Sequence, residues 1–302
     1  MASRSVILVG TNTKKYLNFA LSCAASIQLH NPELPIFIAT NIIPQKKYKG
    51  IHFIKVEEHI AKLFIETKLY LDTFLQTDET LYIDSDMLCF GDLTPIFDAC
   101  KEMDVTVLGK LHPIEDYWGD QADFARKEFG IDHSILFNGG LYFLKKTELT
   151  TKIFNKARKI SERYDEYGFG RIHNNWKNEE DMVSIGMISN QQLPIDDDGQ
   201  FVAGFSTEKP PKKFNVLKGI MTFNYNSAAA LKTKEHPIKP VLFHFGGENM
   251  YSPLYIAQNT LLKLHKWNIP VQLGSLVVAL GINMPFSIMR YIKQKLSKLA
   301  KS

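Results

Sequence analysis

The sequence has few cysteines: three among 302 residues, with no paired spacing. Cys23, Cys89 and Cys100 are too far apart for the Cys-x-x-Cys motifs of zinc or redox sites. We expect them to be reduced thiols in or near the core, which is typical of a cytoplasmic protein. Cysteine content therefore argues against a disulfide-stabilised secreted domain.

Long hydrophobic runs are also lacking. The longest, over residues 276–286, is interrupted by Gly281, Asn283 and Pro285. It is shorter than the roughly 20 apolar residues that a membrane-spanning helix needs. Residues 5–10 predict a first strand rather than a secretory signal. From sequence alone we expect no transmembrane helix.

A strong excess of one charge is absent as well. The formal net charge is +4, with 45% hydrophobic and 23% charged residues. Nothing here requires nucleic acid, and we expect no such partner. The length suits one large α/β domain or two small ones. Without a repeat or low-complexity linker, we expect a catalytic domain over residues 1–250 and a helical tail over residues 251–302.

The first half of the chain alternates short apolar runs with helical patterns. The runs SVILVG, PIFIAT, HFIKV, LYIDSDML and VTVLG predict strands, and residues 14–30 and 61–75 predict helices. Later segments predict a strand in ILFNGGLYFLKK, helices over residues 150–164 and 179–189, a loop over residues 192–218 and a strand in PVLFHFGG. The alternation indicates an α/β fold with a mostly parallel central sheet and helices on both faces.

The sharpest chemical signal is Asp84-Ser85-Asp86, directly after the apolar residues 81–83. Residues two apart on a strand point to the same face, so both carboxylates should project together at the strand's carboxyl end. Two adjacent carboxylates repel each other and favour a bound cation, and oxygen ligands suit Mg²⁺ or Mn²⁺. The simpler alternative is a pair of turn aspartates that end the strand.

Lys68 lies on the apolar face of the helix predicted over residues 61–75. Its neighbours at helical spacing are Phe64, Leu71 and Leu75. An unpaired buried ammonium is too costly, so Lys68 must either extend to solvent or meet a phosphate or a carboxylate. The sequence alone leaves both alternatives open.

Three weaker patterns allow a structural or a functional reading. Asn138-Gly139-Gly140 indicates a β-bulge or a ligand close to the backbone. The acids at 179–181 suit a first helical turn whatever their chemistry. His244, in VLFHFGG, is either a satisfied core residue or a metal ligand.

Together these motifs resemble retaining glycosyltransferases of family 8, the group that contains glycogenin and bacterial lipooligosaccharide galactosyltransferases. The resemblance runs from about Val6 to Gly247. It is most specific in TKLYLDTFLQTDETLYIDSDMLCFGDLTPIFD, followed by FNGGLYFLKK, EEDMVSIGM and LFHFGG. It implies a GT-A nucleotide-diphospho-sugar transferase fold, a UDP-hexose donor, Mn²⁺ with Mg²⁺ as the alternative, and retention of anomeric configuration.

The resemblance also implies residue roles. Asp84, Asp86 and His244 match the metal ligands, and Asp181 matches the acid near the reacting carbon, with Glu180 as its competitor. Lys68 matches a lysine near the donor. The other donor-binding positions are Thr11, Asn12, Tyr16, Ser85, Asn138, Gly140 and Gly246.

Two positions depart from the family pattern. Met182 stands where glutamine often follows the acid, and no lysine follows His244. The second departure leaves open how the diphosphate is held.

We therefore expect a metal-dependent hexosyltransferase that uses a UDP-sugar and a glycan or lipid-linked acceptor. One alternative is a sugar-phosphate nucleotidyltransferase, but the first strand is followed by the single glycine Gly10 rather than by a glycine-rich basic loop. The other is a non-catalytic nucleotide-sugar-binding protein of the same fold.

The last segment, residues 287–302, carries five basic residues and no acidic one. Ile288, Ile292, Leu296 and Leu299 share one helical face, with basic residues opposite. Such a helix is typical of a membrane interface. We expect a cytoplasmic protein with peripheral contact to an anionic membrane through residues 287–302; a packed helix with a solvated basic face is the alternative.

Overall fold

A computed structural model describes residues 3–172, 175–197, 199–204, 213–222 and 240–289. The strands are β1 (Arg4–Val9), β2 (Ile36–Thr40), β3 (Ile51–Lys55), β4 (Glu79–Ile83), β5 (Met87–Cys89), β6 (Val105–Pro113), β7 (His133–Lys145), β8 (Val202–Gly204), β9 (Lys213–Asn215), β10 (Ile220–Thr222) and β11 (Leu242–His244).

The α-helices are α1 (Lys14–His30), α2 (Glu58–Ala61), α3 (Thr94–Cys100), α4 (Ile114–Trp118), α5 (Ala122–Phe129), α6 (Glu148–Glu162), α7 (Glu179–Ile188), α8 (Pro253–Lys266) and α9 (Val271–Val278). Short 3₁₀ segments are Phe64–Phe74, Gly119–Gln121, Val216–Lys218 and Gly247–Tyr251.

The chain divides into two compact units. The first contains Met1–Ala24, Asn31–Ser85 and Asp92–Asp198, and the second contains Ala25–His30, Asp86–Gly91 and Gly199–Ser302. The domain boundary at residue 250 stays a prediction.

The first unit is built on a six-stranded sheet in the order β3-β2-β1-β4-β7-β6. β3, β2, β1 and β4 are mutually parallel neighbours, whereas β7 is antiparallel to both β4 and β6. All five residues of β4 are buried, as expected for a central strand covered on both faces. The predicted α/β class with a mostly parallel central sheet is confirmed.

Helices cover the faces of this sheet. Ile7, Tyr82 and Tyr142 belong to one hydrophobic cluster with buried residues of α6, α7 and the 3₁₀ segment Phe64–Phe74. On the opposite face, the ring of Phe143 from β7 meets Phe97 from α3 edge to face at 6.3 Å. Successive residues of a strand thus face opposite sides of the sheet and pack against different layers. Both sides are buried, which is why these strands are continuous apolar runs in the sequence.

One sequence prediction of local structure is refined and another is wrong. The helix predicted over residues 61–75 is present as the 3₁₀ helix Phe64–Phe74, which follows the short helix α2 and begins at Phe64 with φ +54°. The strand predicted in LYIDSDML is two strands, with Asp84-Ser85-Asp86 in the turn between β4 and β5. The Asp84 amide still donates to the Gly140 carbonyl at 2.8 Å, so pairing with β7 ends only there.

The second unit has a three-stranded sheet in the order β5-β11-β8 and the antiparallel pair β9–β10. β8 and β9 fall inside the predicted loop over residues 192–218, so that loop is not wholly irregular. Phe214, Phe243 and Phe245 make edge contacts with one another, and Phe245 meets Tyr255 of α8 at 5.0 Å. These aromatic contacts fasten α8 to the sheet.

The C-terminal segment is helical in pieces, as predicted, up to Met289, where the description ends. α9 continues through a π-helical segment, Ala279–Asn283, into a last helical stretch. Gly281 and Pro285 therefore do not end the helix. The resulting helix, Val271–Met289, has a mean hydropathy of 1.6 and is longer than the interrupted run at 276–286 suggested. By length and composition it could cross a membrane, against the expectation from sequence.

The packing of α7 on α6 predicts the effect of one substitution. A Cβ at Gly186 would lie 2.9 Å from the Ile153 carbonyl oxygen of α6. Gly186→Ala should lower the free energy of unfolding by about 1–3 kcal/mol through overpacking, although alanine favours an isolated helix by about 1 kcal/mol. Urea denaturation measures this.

Gly281→Ala is the matched control, because no atom of the described residues, apart from its chain neighbours and its own helix backbone, lies within 4 Å of a Cβ added there. A Gly186→Ala protein as stable as its parent would contradict the close helix contact.

Candidate active site

Lys68 meets carboxylates and does not extend to solvent. Its Nζ lies 3.0 Å from Asp84 Oδ2 and 3.0 Å from Glu179 Oε1, and it donates to the Gly139 carbonyl at 2.9 Å. Burial alone would lower the pKa of Lys68, but the charges of Asp84 and Glu179 outweigh it and raise that pKa well above its usual value. Lys68 is therefore a fixed ammonium.

Asp84 is held from several directions. Its backbone amide continues the pairing with β7, Oδ2 faces Lys68, and Oδ1 accepts a hydrogen bond from the Tyr82 hydroxyl. The Lys68 ammonium also lies 5.7 Å from the centre of the Tyr82 ring. The carboxylate at the end of β4 is thus preorganised by its neighbours.

The first turn of α7 supplies two more acids. Asn178 caps the helix by accepting from the Glu180 amide. Glu179, with a side chain only 3% exposed, pairs with Lys68. Glu180 accepts from the Gly139 amide at 2.6 Å, and burial together with the charge of Glu179 raises the pKa of Glu180 to about 7. The sequence does not predict that Glu179 and Glu180 lie near Lys68, because acids in a first helical turn are already explained by the helix dipole.

Gly139 is required by this close approach. A Cβ there would lie 2.5 Å from Glu179 Oε1 and 3.2 Å from Glu180 Oε1. The groups that come close to the backbone of β7 at Gly139 are therefore carboxylates of the protein itself. The buried Tyr142 hydroxyl would be 3.1 Å from the same Cβ. Burial and the charge of Glu179 raise the Tyr142 pKa well above its usual value, so the phenol stays protonated.

Asp181 has a different environment from the two glutamates. It is buried, and its charge adds to burial in raising the pKa of Tyr164 to about 12. Tyr164 also accepts a hydrogen bond from the Asn178 amide at 3.0 Å. Of the three acids at the start of α7, Glu179 and Glu180 contact the Lys68–Gly139 group, and a role for Asp181 at the reacting carbon stays a prediction.

Within the second unit, Asp86 and His244 form a close pair. His244 Nε2 lies 3.0 Å from Asp86 Oδ1. The pairing of β5 with β11 sets this, because Met87 is opposite His244 and the Phe245 amide donates to the Asp86 carbonyl at 3.1 Å. Adjacent ligands around an octahedral cation, at about 2.1 Å from it, are about 3 Å apart. The Asp86–His244 spacing therefore fits two neighbouring ligands of one metal ion.

The predicted nucleotide-binding segment follows β1. Thr11 is buried, Tyr16 is 36% exposed, and Asn12 has φ +69°. The Asn12 amide nitrogen donates to Asn41 Oδ1 at 2.8 Å, and its side chain donates to the Ala61 carbonyl at 2.6 Å. Asn12 thus fixes the turn, and exposed Tyr16 remains open to a ligand.

The remaining predicted donor positions lie in turns and strand interiors. Asn138 Oδ1 accepts from the Gly140 amide at 3.1 Å, and Ser85 is half-buried between the two aspartates. Gly246 follows β11 with φ +66°, and apart from its chain neighbours no atom of the described residues lies within 4 Å of a Cβ added there. In the first unit, Lys68 and Asp84 therefore lie beside the Asn138–Gly140 segment of β7. In the second unit, Asp86, His244 and Gly246 are neighbours.

No protein-family model and no curated protein matches this sequence. Solved structures do. The galactosyltransferase LgtC, in complex with donor and acceptor sugar analogues, is 13% identical, with a TM-score of 0.52 over 81% of this chain and 87% of that chain. The bifunctional glycosyltransferase WbbM is 12% identical, with a TM-score of 0.51 over 82% of this chain and 46% of that one.

The chain has the GT-A glycosyltransferase fold. At these identities the similarity establishes the fold alone, and the chemistry must be argued from the residues described above.

The burial of the Lys68–Glu179 pair predicts a coupling energy. Lys68→Met should lower the free energy of unfolding by about 3–5 kcal/mol, since it leaves the Glu179 carboxylate buried without its cation. Adding Glu179→Gln should restore at least about 1 kcal/mol, because the stranded charge is removed. Urea denaturation of the parent, both single variants and the double variant gives the coupling energy of the pair through a double-mutant cycle.

Lys62→Met with Glu58→Gln is the control, because that i,i+4 pair is 3.8 Å apart with side chains 69% and 63% exposed. Its coupling should be near zero. If the two cycles give the same coupling, Lys68 and Glu179 do not form a buried pair.

Proposed function

We propose that the protein is a metal-dependent glycosyltransferase that moves a hexose from a UDP-sugar to an acceptor hydroxyl with retention of configuration. The observation that carries this proposal is a fixed ammonium–carboxylate cluster at the end of β4 in a GT-A fold. Lys68, Asp84 and Glu179 form that cluster, and Asp86 follows Asp84 by two residues.

Charge balance supports a bound cation. In the cluster one ammonium faces the two carboxylates of Asp84 and Glu179, so negative charge is in excess before Asp86 is counted. Carboxylates held together in this way favour a divalent cation. We propose that Asp84, Asp86 and His244 hold Mn²⁺, with Mg²⁺ as the alternative. When bound, such a cation would supply Lewis-acid stabilisation to the donor diphosphate.

The side chains have separate roles in this proposal. The Lys68 ammonium fixes the Asp84 carboxylate and adds positive charge near the departing diphosphate. Tyr16, Thr11 and Asn12 bind the nucleotide. Asn138 and Gly140 bind the donor sugar. Ser85 and Gly246 leave space for the phosphates between or beside the metal ligands.

An acid from the start of α7 stabilises the positive charge that develops on the sugar ring. Glu180 is better supported than Asp181 for this role, because Glu180 contacts the Gly139 amide within the predicted donor strand. Asp181 borders Tyr164 instead. Glu180 must be ionised to act in this way, and its pKa of about 7 lets it charge near neutral pH.

The alternatives differ in what they would do with a UDP-sugar. A sugar-phosphate nucleotidyltransferase would exchange pyrophosphate, and a non-catalytic relative would bind the sugar nucleotide without breaking it. The preorganised Lys68–Asp84 pair, 3.0 Å apart, favours bond cleavage over simple binding.

The metal proposal predicts both binding and turnover. Asp86→Asn should weaken Mn²⁺ binding, measured by titration calorimetry, at least tenfold and should lower slow UDP-hexose hydrolysis at least 100-fold, because one ligand charge is lost. EDTA should abolish hydrolysis by the parent protein. A panel of UDP-hexoses with released UDP as the readout measures the second effect.

Asp92→Asn is the matched control on the same segment, because Asp92 caps its own turn by accepting from the Thr94 amide at 2.9 Å. Hydrolysis at the parent rate in EDTA would contradict the metal proposal.

We also propose that the protein acts at the cytoplasmic face of an anionic membrane, on a lipid-linked or other membrane glycan. Residues 290–302, which carry most of the basic tail predicted to bind, lie outside the described residues. The described helix Val271–Met289 extends the apolar part of this surface, since only 11% of its apolar window is buried. Its exposed large apolar side chains are Leu273, Leu276, Val277, Leu280, Met284, Phe286, Ile288 and Met289.

An anionic lipid surface suits both parts of this segment. These apolar side chains would enter the interface, and the basic residues that follow them in the sequence would meet lipid headgroups at about 1 kcal/mol each. The charge complementarity selects anionic lipid over another apolar partner.

Liposome sedimentation tests the membrane proposal. The parent should bind vesicles of mixed phosphatidylcholine and phosphatidylserine at low salt and be partly released at high salt. Leu276→Ser with Leu280→Ser should reduce binding at least tenfold, because two exposed apolar side chains are lost.

Ile43→Ser is the control, since Ile43 is equally exposed at 49% but lies in the first unit. If the double variant binds as tightly as the parent, the apolar helix does not contact the membrane.

A further inference from the structure

Phe64 has a backbone conformation that is unfavourable for its residue type. Its φ is +54°, in the left-handed region that bulky residues rarely occupy. Its ring is 45% exposed, so full burial does not compensate for the strain. Strained residues that the surrounding structure maintains are concentrated at functional sites.

The Phe64 ring is stacked on Trp176. The ring centres are 5.6 Å apart and the planes differ by 15°. Trp176 is itself fixed, because it exchanges two backbone hydrogen bonds of 2.9 Å with Ile172. The pair is therefore a rigid aromatic surface, open on the Phe64 side.

One polar cluster joins the two segments that carry these rings. Lys177, next to Trp176, donates to the Ser161 carbonyl at 2.7 Å and lies 3.6 Å from Glu66. Glu66, two residues after Phe64, accepts a hydrogen bond from the Ser161 hydroxyl. Both ring-bearing segments are thus fastened to the same point on α6.

The same two segments lead into the candidate active site. Phe64 lies four residues before Lys68, and Trp176 lies three residues before Glu179. Because Lys68 and Glu179 are 3.0 Å apart, the two ring-bearing segments converge on the Lys68–Glu179 pair of the candidate active site. All of these residues belong to the first unit.

We propose that Phe64 and Trp176 form a binding platform for the apolar face of a sugar ring in the acceptor. Pyranose rings carry C–H groups on one face, and an exposed, rigid aromatic surface packs against them at little entropic cost. The assignment to the acceptor rests on the proposed function, in which the donor sugar lies at Asn138 and Gly140.

The test uses Phe64→Gly in the full chain, because glycine relieves the left-handed strain while removing the ring. Saturation-transfer NMR with lactose, maltose and cellobiose as probes gives sugar binding. UDP-hexose hydrolysis without acceptor and the midpoint of urea unfolding are measured in parallel.

Sugar binding should weaken at least tenfold while hydrolysis stays at the parent rate and the unfolding midpoint stays the same or rises. Phe64→Tyr should retain binding, because it keeps the ring. Phe124→Ala, which removes another exposed aromatic side chain of the first unit, at 40% exposure, should leave binding unchanged.

Equal sugar binding by Phe64→Gly and its parent would overturn the platform, and so would a parent that hydrolyses UDP-hexose but binds none of the three disaccharides. A parent that binds a disaccharide through Phe64 without cleaving any UDP-hexose would keep the platform as a sugar site and overturn the transferase.

Discussion

The Lys68 ammonium is the constraint on which the site depends. It is nearly enclosed, so it must be neutralised by partners that cannot move away. Asp84 and Glu179 provide that neutralisation at 3.0 Å each, and the Gly139 carbonyl completes the ammonium's environment. The Lys68 charge thereby links four elements: the 3₁₀ helix Phe64–Phe74, the end of β4, β7 at Gly139 and the start of α7.

This connection explains features that look unrelated along the chain. Gly139 has no side chain because Glu179 occupies the space where one would lie. Gly186, two turns further along α7, lets the same helix approach Ile153 of α6 closely. Removal of any one partner leaves charges that the low-dielectric surroundings cannot screen.

The sequence predicts the parts of this structure that depend on local pattern. The apolar runs locate β1 to β4, and the carboxylates after the central strand locate the site at its carboxyl end. It does not predict that Asp84-Ser85-Asp86 is a turn between two sheets, because LYIDSDML reads as one apolar strand. The partner of β5 is β11, which lies far away in the sequence.

The sequence does not reveal the contacts of the α7 glutamates for a similar reason. The helix dipole already explains acids in a first helical turn, so the sequence gives no reason to expect another role for them. Their contacts with Lys68 and Gly139 join residues far apart along the chain. The apolar residues around Lys68 do indicate that its ammonium needs a partner. Which residue is that partner depends on tertiary packing.

Backbone strain gives a second view of where function lies. Five described residues other than glycine have positive φ: Asn12, Phe64, Asn175, Gln191 and Asn268. The first three adjoin segments of the candidate site, whereas Gln191 and Asn268 follow the ends of α7 and α8. Asparagine tolerates this conformation, since its side chain can bond nearby backbone, as Asn12 does with the Ala61 carbonyl. Phe64 has no such compensation. A sequence selected for stability alone would replace it with glycine or asparagine, so its presence argues that the exposed ring contributes something that folding does not require.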